Sequence, residues 1–448
     1  MNILVLNLPF PVRIVRRYSC SYYAKGFLYP PQELLRLATL IKQNNKGRTF
    51  FVDSIAENKS LNEVVAFIKR NKIDLVFTLL GLDFLDTDIK TLSKIKESTG
   101  IPIVSISYLA SLFRKDFSDL DIVLDNFFEE KTYWALKKAE SLEEFTKNLK
   151  DSENKDFEFN PNLSSRVDRG FINPKRYQEV FCRGKTAFLY FGFGCPFKCN
   201  YCICSYNYKK YALRKKEFIF KELKELKKAG YKNIRVLDDN VTVSKEFLSE
   251  LQKFLVNNGI KFDFYGLSRI DLLDKESITL IKQIGFKRIY LGLETLNPEL
   301  QKYYDKNIDV HLPLLKRKIK LLRRKRIEMG LWLMFHPLKQ SKEDLLSMVS
   351  KVSKLGVDFI NLSLLIPYPG TKLFEKERDN ISASIRPFKT SFKEIKNCEK
   401  EFFFRYYLRP LNALRTLFFM VKYPFRSMRL FFDLMFMRSN GEIRTDFI

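Results

Sequence analysis

Gly194-Cys195-Pro196-Phe197-Lys198-Cys199-Asn200-Tyr201-Cys202 stands two residues after the apolar run Thr186–Phe191, and this stretch decides how the chain is read. A short apolar run closed by a loop of thiols reads as a strand that delivers metal ligands. The cysteines stand at C-x3-C-x2-C spacing, and neither of the two histidines, His311 and His336, lies near enough in sequence to complete a set of four. Three thiolates in one loop can hold a [4Fe-4S] cubane and leave its fourth iron open to an outside molecule. The alternative is a structural zinc knot with Cys204 as the fourth ligand. That arrangement would cramp its last two ligands, and Cys204 is expected to be a bystander. Cys20, Cys182 and Cys398 stand alone and read as ordinary thiols.

Outward from the loop, the middle third repeats one rhythm. Candidate strands are Thr186–Phe191, Ile234–Asp238, Phe262–Leu267, Arg288–Leu293, Leu331–Phe335 and Phe359–Leu364, with helical segments near 217–229, 245–257, 276–284, 311–327 and 342–354. Ile219, Leu223 and Leu226 recur at the i, i+4, i+7 positions of a buried helical face. Strands alternating with helices predict parallel βα units, and six in a row predict a partial (βα)6 barrel over 183–376. Its site would lie at the C-terminal strand ends, where the cysteine loop stands.

The first 140 residues alternate in the same way. Ile3–Leu6, Thr49–Asp53, Leu75–Leu80 and Ile103–Ile106 read as strands, with helical segments at Pro31–Gln43, Leu61–Arg70 and Asp86–Ser98 between them. The expectation for 1–140 is a small doubly wound α/β domain, with any ligand beyond the C-terminal strand ends. Residues 141–182 lose periodicity and read as a linker. Residues 377–448 read as a helical tail in which Phe402-Phe-Phe, Leu417-Phe-Phe and Leu430-Phe-Phe interleave with Arg405, Arg409, Arg415, Lys422, Arg426 and Arg429. Packing on the barrel, lying at a membrane surface and binding nucleic acid all stay open for this tail, the last being least favoured.

The cysteine spacing, with aromatic Tyr201 before the third cysteine, resembles the radical S-adenosylmethionine (SAM) superfamily. The resemblance implies that Cys195, Cys199 and Cys202 hold a [4Fe-4S] cluster whose open iron chelates SAM. It also implies that an electron from the cluster cleaves SAM to a 5′-deoxyadenosyl radical, and that Tyr201 lies beside the adenine. It carries over to the strand ends. Asp238 or Asp239, in Val236-Leu-Asp-Asp-Asn, would take the place of the acidic residue that accepts hydrogen bonds from the SAM ammonium. Arg269, in Gly266-Leu-Ser-Arg, and Glu294, in Tyr290-Leu-Gly-Leu-Glu, match positions that meet the ribose and carboxylate of SAM. Lys306 reads as an ordinary loop lysine. Pro367-Tyr-Pro-Gly-Thr resembles the turn after the sixth strand. The fifth strand departs from the family's Gly-Leu-Pro-Gly-Glu-Thr-like stretch, carrying Phe335-His336-Pro337-Leu338-Lys339 instead. His336 there reads as packed rather than as substrate-specific.

The order of small α/β domain, linker, barrel and basic tail resembles the cobalamin-binding branch of that superfamily. This branch holds the anaerobic magnesium-protoporphyrin ester cyclase type and the class B methyltransferases. Tyr29-Pro-Pro-Gln-Glu-Leu, Asp53, and Asp119-Leu-Asp-Ile-Val with Glu129-Glu-Lys-Thr look related. The chain departs from the pattern by lacking Asp-x-His-x-x-Gly and by carrying Ser105-Ile-Ser-Tyr-Leu-Ala-Ser where relatives have glycines. The resemblance implies cobalamin as a third cofactor and methyl transfer to an unactivated carbon. Radical cyclisation or rearrangement, and a non-catalytic scaffold that keeps the cluster, are the alternatives. A tRNA-methylthiolating relative fits less well, because no N-terminal cysteine trio offers a second cluster.

Composition sets the outer bounds. The chain has 448 residues, 46% of them hydrophobic, so it can build real cores. No run reads as a membrane span and no secretion signal is apparent, which predicts a cytoplasmic location with possible peripheral contact at the inner membrane face. Seven cysteines, four of them in the cluster 195–204, do not make a disulfide framework. The 79 lysines and arginines against 52 acids give a net charge of +27, which attracts anionic partners without choosing among them. The partners implied are a small-molecule or lipid-like substrate and an electron donor such as flavodoxin or ferredoxin.

Overall fold

A computed structural model of the chain describes all residues except 19–20, 24–26, 114–116, 164–165, 209, 337, 379–400 and 425–448. The expected positions Cys20, Pro337, Cys398 and the Leu430-Phe-Phe stretch therefore lie outside the described residues. Two compact units emerge: Met1–Glu179 with Ala212–Glu222, and Val180–Tyr211 with Leu223–Ile448.

In the first unit, five strands form a wholly parallel sheet in the order Thr49–Asp53, Ile3–Asn7, Leu75–Leu79, Ile103–Ile106, Ile122–Leu124. This is the 2-1-3-4-5 order of a doubly wound sheet, with its topological switch point between Ile3–Asn7 and Leu75–Leu79. The strands are buried on both faces, so Ile-Leu-Val-Leu and Leu-Val-Phe read as continuous apolar runs rather than alternating ones. Helices Gln32–Asn44, Leu61–Arg70, Leu85–Thr99 and Phe128–Lys138 connect and cover it. Ser60 and Glu63 form a capping box at the start of the second of these.

Two features of this unit differ from the expectation. The stretch read as linker contains the helix Leu142–Asp151, capped by Ser141, with Phe145 and Leu149 buried. Its i, i+4 apolar pair is a short helical signal that the surrounding polar residues hide. A small antiparallel hairpin, Ile14–Arg16 with Ser21–Tyr23, was also unforeseen. It delivers Arg16 into the interior, where the guanidinium pairs with Asp88 and donates to Asn7 Oδ1 at 3.0 Å and to the Leu8 carbonyl at 2.7 Å. Asn7 donates to Asp53 at 2.7 Å, and Asp53 also accepts from the Tyr177 hydroxyl at 2.8 Å. The polar groups here largely satisfy one another.

The second unit holds a six-stranded parallel sheet in sequence order: Thr186–Leu189, Asn233–Val236, Asp263–Arg269, Phe286–Glu294, Glu328–Phe335 and Phe359–Leu364. Helices Lys245–Asn257, Lys275–Ile284, Leu312–Arg324 and Lys342–Ser353 lie between successive strands. This is the expected partial barrel, with element ends shifted by a few residues. Each strand therefore presents its C-terminal end on the same side of the sheet, and the cysteine loop opens from the first of them. After the barrel, residues 401–407 and Pro410–Lys422 are helical.

Candidate active site

The loop leaves the first barrel strand through Gly194, whose φ of +78° is left-handed. A Cβ at this position would lie 2.4 Å from the Lys210 carbonyl oxygen, so glycine is required by both conformation and space. The root of the loop is tied down by Asp238, at the end of the second strand. Its carboxylate accepts from the backbone amides of Phe191 at 2.7 Å and Gly192 at 2.9 Å. Of the two acidic candidates there, Asp238 is thus an anchor of the loop. Asp239 instead accepts from the Cys204 thiol at 3.0 Å.

The three cysteine thiols share one neighbourhood. Burial pushes the Cys195 thiol up to about 12, and the nearby Cys202, Asp239 and Cys199 add to the rise. Burial also raises Cys199, against the pull of Lys306 and Arg269. Cys202 is lowered, chiefly by its hydrogen bond with Cys204. Among the described residues no three His, Cys, Asp or Glu side chains are grouped tightly enough to hold a single metal ion. Cys204 is buried, as is Cys182.

Arg269, the last residue of the third strand, reaches the loop on two sides. Its Nη1 lies 3.4 Å from Cys199 Sγ, and its guanidinium stacks 4.0 Å from the centre of the Phe197 ring. Asp271 holds it through two further hydrogen bonds, of 3.1 and 2.8 Å, and the Lys306 carbonyl through a third of 2.8 Å. A cation fixed beside a thiol sulfur favours the thiolate that a metal needs.

Glu294 ends the fourth strand with φ of +68°, an uncommon conformation for a residue with a Cβ. Its carboxylate pairs with Lys306 Nζ at 2.5 Å, and the same ammonium lies 3.3 Å from the Tyr201 hydroxyl. Gly292 leaves room for this pair, since a Cβ there would stand 3.0 Å from Glu294 Oε1 and 3.2 Å from Lys306 Nζ.

Lys306 corrects the sequence reading: it is buried, not an exposed loop lysine. The flanking Asp305 and Asn307 both have positive φ, and this tight, left-handed turn aims the lysine inward. Asp and Asn on either side of a lysine were the signal that could have revealed it.

The structure thus brings Cys199, Tyr201, Arg269, Glu294 and Lys306 into one contiguous network, with Cys195, Cys202 and Asp239 alongside. His336 is packed as anticipated. Its ring is buried and stacks on Tyr304 at 6.1 Å with an interplanar angle of 4°, and burial lowers its pKa to about 4. At the end of the second strand, the buried Asn240 Nδ2 has no hydrogen-bond partner among the described residues. Pro367–Thr371 forms the turn after the sixth strand, and Thr371 caps the short helix Lys372–Lys376.

Residues 189–368 match the family model of the Radical SAM superfamily, so the chain carries a radical SAM domain. Among curated proteins, an uncharacterized methyltransferase of Pyrococcus horikoshii is 22% identical over 241 residues, covering 50% of this chain and 52% of the relative. The hopanoid C-3 methylase of Methylococcus capsulatus is 26% identical over 224 residues (49% and 42%). The bacteriochlorophyllide d C-12(1)-methyltransferase of Chlorobaculum tepidum is 24% identical over 192 residues (42% and 42%). The chain spans about half the length of the curated relatives it matches. Among solved structures, the radical SAM methyltransferase TsrM of Kitasatospora setae, with cobalamin and a [4Fe-4S] cluster bound, covers 85% of this chain and 78% of its own. Its TM-score is 0.61 at 13% identity, so the likeness is one of fold.

Proposed function

We propose that this protein is a radical SAM methyltransferase that places a methyl group on an unactivated carbon with the help of cobalamin. The observation that carries the reading is the cysteine loop at the C-terminal end of the first barrel strand, with Arg269 brought to it from the third strand and Lys306 from a turn after the fourth. Cys195, Cys199 and Cys202 would hold a [4Fe-4S] cluster, which supplies the electron for reductive cleavage of SAM. The donor set fits, being three thiols in one neighbourhood with a guanidinium at 3.4 Å from one sulfur.

The chain's own residues would then bind and orient SAM. Tyr201 offers a ring face for the adenine, and Asp239 a carboxylate for the ammonium. Glu294 and Arg269 would address the ribose and carboxylate, with Lys306 fixing Glu294 against Tyr201. Asn240 Nδ2 supplies a further buried donor at the same strand ends.

Cobalamin, when bound, would supply the methyl group. Support comes from the doubly wound sheet and from Thr78 and Ser105. These stand opposite each other in register near the C-terminal ends of adjacent central strands. Both hydroxyls are buried and have no hydrogen-bond partner among the described residues, so they are suited to a polar ligand. The names of the relatives, methylases of a hopanoid and of bacteriochlorophyllide, support carbon methylation of a small-molecule or lipid-like substrate. A flavodoxin or ferredoxin would deliver the electron. Peripheral contact with a membrane through the C-terminal segment belongs to the same reading; no helix among the described residues is long and apolar enough to cross one.

The test is anaerobic reconstitution with iron and sulfide, followed by incubation with SAM and a reductant. Release of 5′-deoxyadenosine is expected, and its absence from cluster-loaded protein would leave only the scaffold reading. Protein produced with hydroxocobalamin should show corrin absorbance, and its absence would remove the methyl-transfer part.

A further inference from the structure

We infer that the outward face of the helix Pro410–Lys422 is a docking surface for an anionic lipid bilayer. The assignment gives a surface to the peripheral membrane contact already proposed and rests on that reading, but not on the redox chemistry.

The helix has two faces of opposite role. On the inner one, Phe419 packs on Phe181 and Phe359 with ring centres 4.9 and 5.8 Å apart, and Tyr423 packs on Phe181 at 5.7 Å. Asn412 Nδ2 donates to the Tyr406 carbonyl at 3.0 Å, and Lys422 pairs with Glu328 at 2.6 Å. The inner face is thus fastened to the second unit. On the outer one, Leu411, Leu414, Leu417, Phe418 and Val421 are all between 57 and 72% exposed. Their spacing places them on one stripe at helical period, opposite the packed residues. Phe404 and Leu408, also exposed, carry the apolar surface back into the preceding helical residues.

A helix whose packing needs are already met does not require a second apolar stripe, and an exposed patch of this kind marks an interaction surface. Charge selects the occupant. Between Phe402 and Pro424 the sequence carries Arg405, Arg409, Arg415 and Lys422 and no acidic residue; Lys422 is held by Glu328 and Arg405 by the neighbouring Glu401, and the chain as a whole has net charge +27. A second copy meeting this face would set like charges against each other. A bilayer with anionic headgroups accepts both the apolar stripe and the flanking cations. The helix, 13 residues long, falls short of the roughly 20 needed to span, so it would lie in the plane of the interface.

The experiment is flotation of the full-length protein with vesicles. The protein should float with phosphatidylglycerol–phosphatidylcholine vesicles, less so at high salt, and far less with phosphatidylcholine alone. In the double variant Leu414→Asp/Phe418→Asp the vesicle-bound fraction should fall by about tenfold or more. Its iron content, circular dichroism and 5′-deoxyadenosine yield should stay at the wild-type level. Arg405→Ala/Arg409→Ala, which leaves the stripe intact, should lower binding to anionic vesicles only. Failure of the wild-type chain to float, undiminished flotation of the double variant, or a wild-type dimer that the double variant splits in the absence of lipid would each overturn the proposal. A wild-type protein that floats but releases no 5′-deoxyadenosine would overturn the catalytic reading and leave this one standing.

Discussion

The two parallel sheets are built by one rule, yet their C-terminal strand ends are furnished differently. In the doubly wound sheet, Arg16 is ion-paired with Asp88, and Asp53 accepts hydrogen bonds from Asn7 and Tyr177, so these groups are satisfied inside the unit. Among the described residues, the Thr78 and Ser105 hydroxyls on its central strands have no hydrogen-bond partner. In the barrel, the strand ends carry Asp239, Arg269 and Glu294, held beside a loop of thiols. The contrast teaches that a shared topology leaves the chemistry to the residues at the strand ends. The first sheet pairs Arg16 with Asp88 in its interior, whereas the second pairs Glu294 with Lys306 and Arg269 with Asp271 beside the cysteine loop, where the proposed cosubstrate would meet them.

The sharpest way to break this contrast is at the thiols. Cys199→Ala should abolish cluster loading and 5′-deoxyadenosine formation while the thermal unfolding of the first unit is unchanged; retention of a full iron complement would refute the assignment of this ligand. In the first unit the corresponding blow is Arg16→Met, which strands Asp88 in the interior. It should cost about 3–5 kcal/mol in chemical denaturation, and Arg16→Met/Asp88→Leu should cost less than the single change. Equal losses would mean that the pair is not the source of the stability.

A smaller effect is expected from Arg269→Gln, which removes the guanidinium beside Cys199. Activity should fall roughly 10–100-fold with most of the iron retained, as for other groups that orient a metal ligand. Arg269→Lys should not restore it, because an ammonium cannot keep the two bonds to Asp271 and the stacking on Phe197 together.

Titration separates the two units further. Burial raises the Glu129 carboxyl in the first unit from 4.5 to about 7, despite the pull of Arg36. A folded-state pKa above the unfolded one contributes stability that is complete below about 4.5 and is lost as the pH rises through about 7. Glu129→Gln should flatten the decline of first-unit stability across that window, and an unchanged slope would assign it to another group. The smallest effects should be alike in both units: Ser60→Ala and Ser341→Ala each remove a capping box and should each cost about 1 kcal/mol.

Much of the site was legible in the sequence: Cys195, Cys199 and Cys202 stood out by their spacing in one loop, and Tyr201, Arg269 and Glu294 through the resemblance to the radical SAM superfamily. The structure brings Cys199, Tyr201, Arg269 and Glu294 into one network. Lys306 escaped because its burial depends on a left-handed turn and on contacts with Glu294 and Tyr201 that are remote in sequence. Asp238 and Asp239 were indistinguishable as neighbours. Their roles separated only when the second strand was laid beside the first and the amides of Phe191 and Gly192 met one carboxylate rather than the other. The helix Leu142–Asp151 was missed because its two buried residues are too few for a periodic signal among so many polar ones.

What the sequence determined by itself was local and periodic: the alternation of strands and helices, the place of the thiol loop after a strand, and the excess of positive charge. Those follow from covalent order, because side-chain period and ligand spacing are properties of neighbouring residues. The tertiary structure alone decided which partner each charge would meet, and which face of the C-terminal helix would be covered. These depend on what each side chain meets across the fold, and for Arg16, Asp238 and Lys306 the partner that fixes the role lies many residues away along the chain.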